Sequence, residues 1–104
     1  LWGRRQHMTR GDMAYSQVTL LNGQYMDIKP SVAGIEWMIN NIIIPFGYAC
    51  ELYHSDGSND ILDCTTSTSL HTYTYHCNTS SYYRLKNVSG STIQVSFDGI
   101  ITKE

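Results

Sequence analysis

The sequence predicts an all-β fold, and three observations carry that expectation. Apolar residues recur at every second position in several runs. Turn-forming residues separate those runs at short, regular intervals. No window combines apolar residues at helical spacing with convincing caps. The expected architecture is a single antiparallel β-sandwich of about eight strands, jelly-roll-like or another Greek key. It should occupy residues 15–104, preceded by an extended basic N-terminal arm, residues 1–14.

The elements follow in chain order. Asn22-Gly23 lies between two β-rich runs, residues 17–21 and 24–28, and is the strongest hairpin signal in the chain. Lys29-Pro30-Ser31 ends the second run. The next, residues 36–44, changes apolar phase part-way: Trp37 and Ile39 have one parity, Ile42 and Ile44 the other. A bulge near Asn40-Asn41 would account for that slip. After Pro45-Phe46-Gly47, Tyr48, Cys50 and Leu52 alternate with Ala49, Glu51 and Tyr53. Residues 56–60 form a hairpin loop in which Gly57 and Asn59 are expected to take unusual backbone angles. A strand over residues 70–77 would put His71, Tyr73, Tyr75 and Cys77 on one face and His76 on the other. Residues 78–81 and 89–91 read as two more hairpin turns, around the run that holds Tyr83 and Leu85. Ile93, Val95 and Phe97 mark the last strand.

Charged residues make up 15% of the chain, a low share, and Ser, Thr, Asn and Tyr fill the polar balance. Such side chains suit half-buried sheets and packed interfaces. The net charge of −2 is unevenly placed. Residues 1–14 hold Arg4, Arg5 and Arg10 against Asp12, a net of +2, and the remainder holds four basic and eight acidic residues, −4. The arm is therefore expected to dock on an acidic neighbour. The body has no basic stripe for nucleic acid, and no run is apolar for long enough to span a membrane. Leu1 is not an initiating residue, and Met13-Ala14 would make a natural start.

Motifs for chemistry are weak. Cys50, Cys64 and Cys77 are an odd set, expected to be buried small apolar residues. A turn centred on Ser58 would put Cys64 opposite Leu52 and make Cys50 its diagonal neighbour, beyond disulfide reach. The histidines lack zinc-ligand spacing, and Asp56, Ser58 and Asp60 resemble only the opening of a calcium loop. Arg10-Gly11-Asp12, Asn78-Thr79-Ser80 and Asn87-Val88-Ser89 are short matches to integrin-binding and glycosylation patterns. There is no nucleophile elbow and no phosphate-cradling glycine loop, so no catalytic residue, cofactor or metal ligand is assigned. Tyr73, Tyr75, Tyr82 and Arg84 form a candidate interface, since cross-strand pairing would bring Tyr75 near Arg84. An aromatic platform for sugars is the alternative use of these rings.

Several segments together resemble small structural proteins of tailed bacteriophages: Tyr25 to Pro30, Glu36-Trp37-Met38-Ile39-Asn40-Asn41-Ile42, Glu51-Leu52-Tyr53 leading into Asp56-Gly57-Ser58-Asn59, Tyr82-Tyr83-Arg84-Leu85-Lys86-Asn87, and Phe97 to Lys103. The resemblance covers residues 15–103. It implies a non-enzymatic virion protein assembled in the host cytoplasm, of the capsid decoration (cement) kind. Its partner would be the major capsid protein or another virion protein, and it would be a homo-oligomer, most simply a trimer. In that setting Trp2 anchors the arm while Arg4, Arg5 and Arg10 pair with acidic groups of the shell. The alternative function is a carbohydrate-binding β-sandwich module in a fibre or receptor-binding role.

Overall fold

The computed structural model describes residues 10–104. Among them run eight strands: β1 (Met13–Leu20), β2 (Tyr25–Ile28), β3 (Glu36–Ile43), β4 (Cys50–Ser55), β5 (Asp60–Thr66), β6 (Tyr75–Cys77), β7 (Tyr82–Asn87) and β8 (Ile93–Lys103). They form two four-stranded antiparallel sheets, β1-β8-β3-β6 and β2-β7-β4-β5. The first strand pairs with the last, β2 with β7, β3 with β6, and β4 with β5. The chain thus has the connectivity of one long hairpin, doubled back at the β4–β5 turn and rolled so that β3 also meets β8 and β4 also meets β7.

Period-two patterning sets which side chains enter the space between the sheets. From one sheet come Leu20, Trp37, Ile39, Ile42, Val95, Phe97 and Ile101. Met26, Ile28, Cys50, Leu52 and Leu85 come from the other. Each fully buried aliphatic side chain here contributes about 1.5–3 kcal/mol relative to an exposed one. The phase slip has the expected cause. Ile39 stands opposite Gly99 and Asn41 opposite Asp98, which leaves Asn40 as the extra residue of a bulge. Leu52 does stand opposite Cys64, and all three cysteines are free. Cys50 and Cys77 are buried, whereas Cys64 is only partly so.

Four expectations need correction. Asn22-Gly23 does not close a two-stranded hairpin. The chain does reverse there, with the Gln24 amide donating to the Leu21 carbonyl at 3.0 Å, but β2 crosses to the facing sheet and pairs with β7. The turns at residues 78–81 and 89–91 likewise lead from one sheet to the other. The strand expected over residues 70–77 shrinks to Tyr75–Cys77, with Leu70 held to Ile42 by an isolated bridge. In the β4–β5 loop Gly57 alone takes a positive φ (94°). Asn59 does not, because the Asp56 carboxylate holds the turn by accepting from the Ser58 and Asn59 amides at 2.9 and 2.8 Å.

The sheet takes up the chain from Met13, inside the segment assigned to the arm. Just before it, the Gly11 amide donates to the Ile101 carbonyl at 2.7 Å, and the Ile101 amide donates to Asp12 at 2.9 Å. Asn87 ties the loops at one end together. Its amide nitrogen donates to the carbonyls of Leu20 (3.0 Å) and Ser91 (2.6 Å), while its oxygen accepts from the Ser89 amide and hydroxyl. With its side chain buried and fully bonded, Asn87 offers nothing to a glycosylating enzyme.

Candidate binding site

Tyrosines and charged residues gather at two places. The first is the outer face of the β2-β7-β4-β5 sheet. There Arg84 of β7 donates from Nε to Asp27 of β2 (2.7 Å) and from Nη1 to Asp60 of β5 (3.0 Å). Its guanidinium also lies over the Tyr25 ring, 4.1 Å from the centroid. Lys86 approaches the same ring at 5.5 Å, and Tyr53 leans on it at 6.2 Å with a 56° tilt. These contacts follow from register, which sets Tyr25 beside Lys86, Asp27 beside Arg84, and Arg84 beside Tyr53. The two carboxylates raise the Arg84 pKa, the Asp27 hydrogen bond contributing most. The Asp60 carboxyl sits below its ordinary range, chiefly through the Ser55 hydroxyl and then Arg84. The Tyr53 phenol, donating to Glu51 at 2.6 Å, is pushed up to about 12 by that bond.

The second place is a cleft of about 400 Å³ between β5 and β6, the edge strands of the facing sheets. Three features shape it. Register shifts between Leu52 and Tyr53, so Asp63 becomes the extra residue of a bulge at the rim. The connection after β5 carries Tyr73, 68% exposed, over the opening. Deeper in, Tyr75 of β6 meets Tyr83 of β7 edge-on, ring centroids 5.0 Å apart at 73°. Thr74, Leu70 and Cys64 complete the wall. Burial pushes the Tyr75 phenol up to about 12 and the Tyr83 phenol upward, the Asp63 charge adding to both. The Cys64 thiol is raised by the same two causes, burial first. At neutral pH the Tyr75 and Tyr83 phenols and the Cys64 thiol are therefore uncharged.

The chain matches no family model and no curated protein.

The structure divides the residues singled out from sequence. Tyr73 and Tyr75 meet in the cleft. Tyr82 is buried, with Lys29 over its ring at 4.4 Å. Arg84 lies on the other side of its sheet, so the expected approach of Tyr75 to Arg84 is replaced by the Tyr75–Tyr83 contact. The reason is topological: β6 and β7 belong to opposite sheets. Arg10 is exposed, and its backbone amide donates to the Glu104 carboxylate at 3.1 Å. Trp2, Arg4 and Arg5 lie outside the described residues. Sequence reasoning grouped Tyr83 with the clustered tyrosines but missed Asp63 in the cleft, and Tyr25 and Asp27 on the outer face. Alternation places Tyr25 and Asp27 on one face of β2, but its pairing with β7 had no sequence signal. The histidines also separate: His54 bonds Ser81, His71 bonds Asn41, and His76 is on the outer face of the other sheet.

Proposed function

We propose that the chain is a non-enzymatic structural protein of a phage particle, a capsid decoration protein built as a jelly roll. In this reading it binds the shell through its arm and its sheet faces, and it works as a homo-oligomer. The rolled-hairpin strand order supports the jelly-roll description, since two Greek keys fold in that manner. The observation that carries the assembly role is a row of side chains across the outer face of β1-β8-β3-β6. Register aligns Met13, Ile100, Met38 and His76 on four successive strands. Met13 is 69% exposed and Ile100 39%. Neighbouring apolar residues aligned across an open sheet are what a protein interface uses at its centre.

The test is mass spectrometry of purified particles, combined with a binding assay on expanded shells. Stoichiometric presence of the chain, and weakened binding after deletion of residues 1–12 or in Ile100→Lys, is the expected result. Absence from particles, or binding unchanged by both variants, would overturn the reading. A carbohydrate-binding role stands second. The cleft supplies the tyrosines for it, yet Tyr75–Tyr83 and Tyr25–Tyr53 cross at steep angles where a sugar platform needs coplanar rings. Selective binding on a glycan array would reverse that order.

A further inference from the structure

The molecule contains its own example of how its tyrosines and carboxylates are satisfied. At Tyr25, a guanidinium stacks on the ring and reaches two carboxylates, Asp27 and Asp60. At Tyr82, the Lys29 ammonium caps the ring. Among the described residues, the β5–β6 cleft has the same components without the cation. Tyr73 presents an exposed ring, Tyr75 and Tyr83 lie behind it, and Asp63 stands at the rim with no hydrogen bond or ion pair among the described residues. Among the described residues, no lysine or arginine lines the cleft. Asp63 is close enough to act on the Tyr75 and Tyr83 phenols, so its field enters the cleft.

We propose that the cleft receives an arginine side chain from a partner protein, its guanidinium stacked on Tyr73 and paired with Asp63. Charge complementarity selects the occupant. Ring faces and a carboxylate attract a cation and repel an anion. A guanidinium fits better than an ammonium because it is planar, stacks on an aromatic face and bonds a carboxylate through two N–H groups at once. On the opposite side of the sheet, Arg84 lies over the Tyr25 ring and bonds one carboxylate, Asp27, through Nε and a second, Asp60, through Nη1. The inference is independent of which particle the chain joins.

The test is an NMR titration of the full chain with N-acetyl-arginine amide, read at the tyrosine rings. N-acetyl-citrulline amide, the same shape without the charge, is the control, and methyl glucoside is the neutral sugar probe. Arginine amide should give saturable shifts at Tyr73, Tyr75 and Tyr83, with neither comparator doing so. Binding should weaken roughly fivefold in Asp63→Asn and in Tyr73→Ala, the loss expected for one exposed ion pair or one cation–π contact. Both positions are exposed, and a thermal melt of each variant checks that the fold is kept. The proposal falls if arginine amide gives no saturable shift up to about 50 mM, a range in which contacts of this strength register. It also falls if citrulline or glucoside matches arginine, or if Asp63→Asn binds as well as the parent.

Discussion

Asn87 shows what one buried polar residue does in a small sandwich. Its side chain makes four hydrogen bonds to the end of β1 and to the turn between β7 and β8. Replacing it with Ala takes the donor from the buried Leu20 carbonyl and unties the partly buried Ser89 turn. Asn87→Ala should therefore cost about 2–3 kcal/mol in urea unfolding, against about 1 kcal/mol for Asn78→Ala, whose oxygen accepts from the Ser80 and Ser81 amides at a more open turn. The cysteines make a second case. Burial pushes the Cys50 thiol up to about 11 and the Cys77 thiol up to about 12. A thiolate is the reactive form, so both should resist iodoacetamide in the native protein at pH 8. The more accessible Cys64 should label first, a ranking that peptide mass spectrometry reads directly.

Among the elements, the β4–β5 hairpin depends on its carboxylates. The Asp56 carboxyl is held below its ordinary range by the Asn59 and Ser58 amides, and Asp60 by Ser55 and Arg84. A carboxyl lowered by folding contributes stability that is complete above its unfolded pKa, about 3.9, and disappears as pH falls through the folded value. Acid should thus erode the hairpin below about pH 4. Asp56→Ala should flatten the dependence of melting temperature on pH there, leaving the curve near pH 7 parallel to the parent's. The β3–β8 contact is sensitive for a steric reason. A Cβ built on Gly99 would lie 2.1 Å from the Met38 carbonyl oxygen and 2.6 Å from the Ile39 Cα, both backbone atoms beside the Asn40 bulge. Gly99→Ala must push two central strands apart and should destabilise by about 1–3 kcal/mol, measured by chemical denaturation.

For the whole molecule, legibility in the sequence stopped where the chain changes sheets. The bulge at Asn40 was readable because one-sided burial forces apolar residues onto one parity, and a slip in parity has few other causes. The pairing of Leu52 with Cys64 was readable because both strands share one short loop. Asn22-Gly23 was misleading because turn chemistry specifies a reversal of direction and leaves open whether the next strand lies alongside or across the core. The cleft was invisible for the same reason. Asp63 and Tyr83 come from one sheet and Tyr75 from the other, and they share its lining only once the two sheets are stacked.

The pairing of first strand with last has a kinetic meaning. Met13 stands opposite Ile100, so the contact that closes the roll joins residues almost a full chain length apart. The entropy of closing so long a loop slows folding. The same contact brings Arg10 and Glu104 within one hydrogen bond, while the β4–β5 turn is exposed and local. The molecule can therefore be re-threaded. Linking residue 104 to residue 10 and opening the chain between Gly57 and Ser58 would turn the most distant pairing into the nearest. Such a circular permutant should keep the fold; it makes β4–β5 the most distant pairing in exchange, so faster refolding by stopped-flow fluorescence would identify β1–β8 closure as the slow step. An unchanged rate would show that the roll closes after, and not during, the slow step.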